Sequence, residues 1–339
     1  MARPGFEAAL TRAWQRRGPL ACLLWPLSLL FSALAALRRA LYRSGLLASS
    51  RMPVPVIVVG NVFVGGTGKT PFTIWLVQQL CAAGHRPGVI SRGHGGSGDA
   101  PRSVGAASAP GEVGDEPVLI ARRTGCPLVV GRDRVAAARQ LLAAHPDVSL
   151  IVSDDGLQHY RLRRDVEIVL CDQRGNGNGW MLPAGPLREP AARRRDFTVV
   201  NGAKAPPGVP PGFHMLLEGE RAERLSDSAQ SVALRDIPRT SRIVAAAGIG
   251  HPARFFAMLR EAGLAIEELP LPDHFDFAVN PFAQVAADMI LITEKDAVKC
   301  RQLDTIKDDV RVWVVPVAAR IDAALTQRIL EKCRGRPTA

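Results

Sequence analysis

From residue 54 onward, short runs of β-branched and aliphatic residues alternate with longer stretches whose apolar positions recur at helical spacing. Residues 54–59, 87–93, 127–131, 149–155 and 166–172 read as strands, and residues 72–80, 117–123 and 133–144 as helices. The strand segments are apolar almost throughout, as expected of strands covered on both faces, and the strict alternation with helices predicts a mostly parallel sheet flanked by helices. The stretch Pro206-Pro207-Gly208-Val209-Pro210-Pro211-Gly212 interrupts the pattern, because stacked prolines and glycines continue neither a helix nor a central strand. Beyond it the alternation resumes with strands at 242–250, 289–293 and 311–317 and a helix at 252–262. The expected organisation is an N-terminal helical segment (1–48), an α/β domain (49–205), and a linker with a second, smaller α/β domain (206–339). Residues 94–114 are rich in Gly, Ser, Ala and Pro without periodicity, and read as a long surface loop.

The N-terminal segment follows a different rule. Between Arg17 and Arg38 lie 20 residues without a charge, enough to cross a bilayer as a helix. Pro26 interrupts that helix, and arginines flank it on both sides without an inside-outside bias. A cleaved signal peptide ending at Ala33-Leu34-Ala35 would export a chain whose chemistry depends on cytosolic nucleotide. The reading adopted is a monotopic helix lying in the membrane interface, with a spanning helix and a buried core helix as the alternatives. Charge fits a membrane surface: 43 Lys plus Arg stand against 32 Asp plus Glu, a net +11. A nucleic-acid partner is not expected, since Arg193-Arg194-Arg195 has no interleaved aromatics and the chain has only two tyrosines. The six cysteines are dispersed, with no C-x-x-C pair, which excludes a zinc framework and points to a reducing compartment.

The candidate chemistry begins where the first strand ends. Val56-Ile57-Val58-Val59-Gly60-Asn61 runs into Val64-Gly65-Gly66-Thr67-Gly68-Lys69-Thr70, a glycine-rich turn that opens a helix. Such a turn converges backbone N–H groups on phosphate oxygens without Cβ obstruction. Gly65, Gly66, Thr67 and Gly68 form the cradle; Lys69 supplies charge to the β- and γ-phosphates of ATP; the Thr70 hydroxyl is placed for Mg²⁺. Phe63 stands where the usual phosphate-loop pattern has its first glycine. The strand at 149–155 ends in Asp154 and Asp155, positioned to hold the Mg²⁺ shell. Gly114-Asp115-Glu116-Pro117 opens a helix and Pro272-Asp273-His274 sets an imidazole beside a carboxylate, a setting for general acid-base chemistry or for a helix cap and a surface histidine.

These segments, taken in order, resemble the tetraacyldisaccharide 4′-kinase family over nearly the whole chain. The resemblance is carried by Gly60-Asn61 to Pro71, Ser91-Arg92-Gly93-His94-Gly95, Gly114-Asp115-Glu116-Pro117, Ser153-Asp154-Asp155-Gly156-Leu157-Gln158-His159, Leu182-Pro183-Ala184-Gly185-Pro186-Leu187-Arg188-Glu189, Asp273-His274 and Thr293-Glu294-Lys295-Asp296-Ala297-Val298-Lys299. His94 departs from the family, which usually has tyrosine there. The resemblance implies a P-loop NTPase-like fold and transfer of the ATP γ-phosphate to the 4′-hydroxyl of an acylated glucosamine disaccharide 1-phosphate, at the cytoplasmic face of the inner membrane. It implies that Asp115, paired with His274, deprotonates that hydroxyl, that Lys69 and Arg92 counter phosphate charge, and that Asp154, Asp155 and Glu189 order the metal shell or acceptor. The competing reading is a membrane-associated P-loop ATPase or GTPase switch without a phosphoryl acceptor. Thr293-Glu294-Lys295-Asp296 lacks the guanine-reading N-K-x-D spacing, and Val64 stands where partitioning ATPases carry lysine. A catalytically silent scaffold is the other alternative, opposed by the intact Lys69, Thr70, Asp115 and His274.

Overall fold

The computed structural model describes residues 12–93 and 100–334. His94 lies outside the described residues. Helix α1 (Pro19–Arg43) is followed by β1 (Val56–Asn61), α2 (Lys69–Ala82), β2 (Pro87–Ser91), β3 (Arg102–Val104), α3 (Pro110–Val113), α4 (Asp115–Thr124), β4 (Leu128–Val130), α5 (Arg134–Ala144), β5 (Leu150–Asp154), β6 (Val166–Asp172), β7 (Phe197–Asn201) and β8 (Phe213–Glu218). The chain then builds β9 (Arg221–Arg224), β10 (Ser231–Ala233), β11 (Ile243–Ala247), α6 (Pro252–Glu261), β12 (Ile266–Pro270), β13 (Met289–Thr293), α7 (Glu294–Cys300) and β14 (Val312–Val315), and ends with β15 (Ala318–Ile321) and α8 (Ala324–Arg334).

The strands form two sheets. The larger runs β15-β8-β7-β6-β1-β5-β2-β4-β3, parallel except for its two edge strands. The smaller runs β10-β9-β14-β13-β11-β12, with β14, β13, β11 and β12 parallel. The expected α/β class with a second α/β unit is what the molecule has. β1 lies between β5 and β6, and Val59 stands in register with Asp154, so the phosphate loop and the acidic pair leave the sheet at the same end. Alternate β1 residues point to opposite faces. Ile57 and Val59 join Phe72, Leu76 and Leu80 of α2 on one side, while Val56 and Val58 join Val135 and Leu141 of α5 on the other. Fully burying each such side chain contributes about 1.5–3 kcal/mol.

Three expectations need correction. The division at 205/206 does not follow the sheets: β8 pairs with β7, β15 pairs with β8, and α8 buries Leu325, Ile329, Leu330 and Cys333 in the core of the larger sheet. The Pro-Gly stretch is a loop between two strands of one sheet. The described part of the region read as a loop at 94–114 contains β3, hydrogen-bonded antiparallel to β4, and the short helix α3. Pro26 does not interrupt α1, which continues through it; a proline removes one backbone donor, a loss that a 25-residue helix absorbs.

Helix α1 touches the body along a narrow line. Ala21 and Ser28 are its buried residues, and Ser28 Oγ donates to the Met181 carbonyl at 2.6 Å. Arg39 meets Glu189 at 2.8 Å, and Trp25 packs near Trp180. Leu23, Leu27, Leu30, Leu34 and Leu37 remain exposed, Leu23 at 76%.

Because α8 belongs to the larger sheet, Ile329→Ala is expected to lower the stability of that domain by about 2–5 kcal/mol, seen in urea titrations followed by the fluorescence of Trp75, which is buried in the same core. A loss confined to the Trp313 environment in the smaller sheet would contradict this placement.

Candidate active site

A cleft of about 460 Å³ opens where the two sheets meet. The larger sheet contributes the loop from Val64 to Pro71, Arg92, Asp115, Glu116, Asp154, Asp155 and Arg188; the smaller contributes Gly250, His251, Arg254, Asp273, His274 and Lys295. Gly65 (φ 99°) and Gly68 (φ 92°) take left-handed backbone conformations. A Cβ at Gly68 would stand 2.5 Å from Asn201 Nδ2, so glycine is also a packing requirement there. Thr67 is fully buried. Lys69 begins α2, and its ammonium donates to Asn61 Oδ1 at 3.1 Å and lies 3.7 Å from Asp155 Oδ1.

The acidic pair divides into two electrostatic types. Asp154 is almost fully buried and accepts from Thr73 Oγ1 and Ser91 Oγ, both at 3.2 Å. Burial, with Glu116 and Asp155 nearby, pushes its carboxyl up to about 6. Burial also opposes ionisation of Asp155, but Lys69 and Arg188 hold it at about 2. Arg188 reaches Asp155 Oδ1 at 3.3 Å and also donates to Asn61 Oδ1. Among the described residues no cluster of three or more His, Cys, Asp or Glu could hold a metal ion alone. Thr70, Asp154 and Asp155 suit Mg²⁺ nonetheless, since that ion is held by one or two carboxylates together with waters and substrate phosphates. The raised Asp154 marks a carboxylate whose negative charge a cation would favour.

Asp115 and His274, 159 residues apart, meet at 3.1 Å through Asp115 Oδ2 and His274 Nδ1. Asp115 is the first residue of α4 and only 3% exposed; Gly114, not Asp115, occupies the N-cap. Burial opposes its charge, yet the His274 hydrogen bond and the ammonium groups of Lys295 and Lys299 hold it well below the usual carboxylate range. His274 has φ 58°, a left-handed conformation that its backbone N–H, donating to the Gly248 carbonyl at 3.1 Å, helps to fix. The two sheets abut nearby as well, where Arg254 of α6 lies 3.4 Å from Asp172; within the larger sheet's loops, Arg174 donates to the Gly66 carbonyl at 2.7 Å.

Glu189 is the one candidate that does not line this cleft. It is 3% exposed and is occupied by Arg39 at 2.8 Å, Tyr160 at 2.6 Å and Arg193 at 3.3 Å. It fastens α1 to the body, a placement that gives its expected metal-shell role no support. The same contacts show that Arg193 serves as a buried ion-pair partner of Glu167 and Glu189. Beside the main cleft, a smaller cavity of about 240 Å³ is lined by Arg38 of α1, Arg132, Arg134, His159 and Arg161. Arg134 is 2% exposed, and its Nε and Nη2 find no hydrogen-bond partner among the described residues. Burial lowers it to about 10 despite the nearby Asp154 and Asp155.

A family description, "Tetraacyldisaccharide-1-P 4'-kinase", matches residues 20–334. The chain belongs to this family. It is 61% identical to a tetraacyldisaccharide 4′-kinase of Janthinobacterium sp. (strain Marseille), over 99% of each chain, and 47% identical to one of Dechloromonas aromatica (strain RCB), over 97% and 98%. A crystal structure of LpxK from Aquifex aeolicus, described as an "apo" form in complex with ATP, superposes with a TM-score of 0.76 at 28% identity, covering 92% of this chain and 99% of that one. Sequence reasoning did not assign Asn61, Arg134, Arg188, Arg254, Lys295 and Lys299 to the site. Arg188 and both lysines sat inside motifs already quoted, the available signal for them.

The hydrogen bond to Asp115 raises His274 above its usual value, outweighing burial and Lys295. A raised folded value means that the contact adds stability below the unfolded value of about 6.5 and loses it as pH rises through the folded one. The stability gap between wild type and His274→Gln in urea titrations is therefore expected to be wider at about pH 6 than at about pH 9; a gap that widens with pH would contradict the pairing.

Proposed function

We propose that the protein transfers the γ-phosphate of ATP to the 4′-hydroxyl of tetraacyldisaccharide 1-phosphate, the lipid A precursor, at the cytoplasmic face of the inner membrane. The observation that carries the reading is the convergence of a buried carboxylate-imidazole pair with the glycine loop and Lys69 in one cleft. A nucleotide switch has no use for such a pair, whereas an alcohol is a poor nucleophile near neutral pH until its proton has a positioned acceptor. Asp115 is that acceptor and His274 holds it in place. Lys69, Arg92 and the loop amides stabilise charge on the phosphates, and phosphoryl transfer depends mostly on such positioning and charge stabilisation. Thr70, Asp154 and Asp155 would hold Mg²⁺, which would supply charge neutralisation at the phosphates.

Two features support a lipid acceptor. The cavity at Arg134 offers unpaired guanidinium donors beside Arg38, Arg132 and His159, chemistry suited to a second anionic group such as the 1-phosphate. Helix α1 presents exposed leucines over most of its surface with Arg38, Arg39 and Arg43 at one end, as a monotopic membrane helix does.

In detergent micelles with Mg-ATP, the full chain is expected to phosphorylate a tetraacylated glucosamine disaccharide 1-phosphate, and Lys69→Ala or Asp115→Asn to lower the rate by about 10²–10⁴-fold. ATP turnover without labelled lipid would favour the switch instead. Replacing Leu23, Leu30 and Leu34 with Ser is expected to release the protein from anionic phospholipid vesicles in flotation assays; unchanged flotation would reject α1 as the anchor.

A further inference from the structure

The Asp115–His274 pair does not stand alone. Helix α7 presents Lys295 and Lys299, four residues apart and so on one face. Its start is rigidly set: Thr293 Oγ1 donates to Asp296 Oδ2 at 2.6 Å, and the same carboxylate oxygen accepts from the Gly248 amide at 3.0 Å in the turn after β11. From that platform Lys299 Nζ reaches Asp115 Oδ2 at 3.1 Å and donates to the Phe275 carbonyl at 2.9 Å. Lys295 Nζ lies 3.3 Å from His274 Nε2, 3.2 Å from Glu116 Oε1 and 3.5 Å from Asp273 Oδ1. Both lysine side chains are largely buried, at 15% and 17% exposure, so solvent screens their charges poorly.

An ammonium group has three N–H donors and no lone pair. A charged Lys295 at hydrogen-bond distance therefore makes His274 Nε2 the acceptor, which puts the ring proton on Nδ1, where it is donated to Asp115. A second proton on the ring would have to sit at Nε2, against the ammonium. Lys299 acts on the other partner, placing a positive charge against the oxygen that already accepts from His274.

Resting on the kinase reading above, we propose that Lys295 and Lys299 are positioning residues for the Asp115–His274 pair, orienting His274 with its Nδ1–H toward Asp115, opposing a second ring proton at Nε2 and keeping Asp115 anionic when the acceptor alcohol arrives. Neither lysine needs to touch the reacting atoms. Among the described residues, the charged groups against His274 are Asp115 from α4, its neighbour Asp273, and Lys295 from α7, with Glu116 and Lys299 one contact further out on Lys295 and Asp115. Removing Lys295 deletes a cation in contact with His274 and leaves Asp115 and Asp273 against the ring, so the imidazole should hold its second proton to higher pH.

The test uses the full-length chain in micelles. The His274 titration is followed by NMR, assigned by comparison with His274→Gln, alongside the pH profile of kcat with Mg-ATP and the tetraacylated disaccharide 1-phosphate. In Lys295→Met the His274 midpoint and the acid limb of kcat are expected to move upward together by about 1 pH unit, with KM for ATP little changed. Lys295→Arg, which keeps the charge, is expected to restore both. Lys295→Gln serves as the second neutral variant if the methionine protein does not fold. A fall in kcat with an unmoved midpoint in the neutral variants, or an arginine variant that behaves like them, would overturn the proposal. If wild type transfers no phosphate to the lipid yet the midpoint moves as expected, the kinase reading fails while the electrostatic role of Lys295 stands.

Discussion

The contact between Asp115 and His274 is the constraint on which the working arrangement depends, because each partner comes from a different sheet. Neither α4 nor the loop before β13 completes the carboxylate–imidazole pair alone, and their meeting brings the smaller sheet to the rim of the glycine loop. A charged helix interface holds that meeting: Glu294 with Arg123, Lys295 with Glu116 and Lys299 with Asp115 join α7 to α4. Since the pairs are partly buried, they act at short range and in fixed geometry rather than as a diffuse attraction.

Around this contact the site sorts its carboxylates by environment. Asp155 stays ionised between Lys69 and Arg188, whereas burial raises the carboxyl of Asp154, one residue earlier and hydrogen-bonded by Thr73 and Ser91, to about 6. Adjacent acids thus behave as different groups, because Asp154 ends the strand inside the core while Asp155, in the turn after it with φ 47°, faces Lys69 and Arg188. Glu189 shows the same lesson in reverse. An acid that looks available in Leu187-Arg188-Glu189 is consumed by Arg39, Arg193 and Tyr160, and its function is to hold the apolar helix.

What was legible in the sequence was local. The β1–loop–α2 unit, the acid pair after β5 and most core strands are written in consecutive residues, where periodicity and glycine placement decide structure directly. The pairing of Asp115 with His274 spans two sheets, and only the resemblance to a known family pointed to it. Lys295 and Lys299 were quoted within a motif but given no role, because two lysines at helical spacing ordinarily describe a solvated face. The assignment of β8, β15 and α8 to the larger sheet was hidden for another reason. A Pro-Gly stretch marks a turn in the backbone, but whether the next strand pairs with the previous sheet or starts another is settled by neighbours far away in the chain.

That last arrangement has a mechanical consequence. The smaller sheet leaves from β8 and returns through β15, two strands hydrogen-bonded to each other at the margin of the larger one. A body hung from two cords fastened side by side can swing like a jaw about the line joining them, but it resists twisting and sliding. Any gape of the cleft is thereby channelled into a single arc that carries His274 and α7 away from the phosphate loop together, and returns them in the same register.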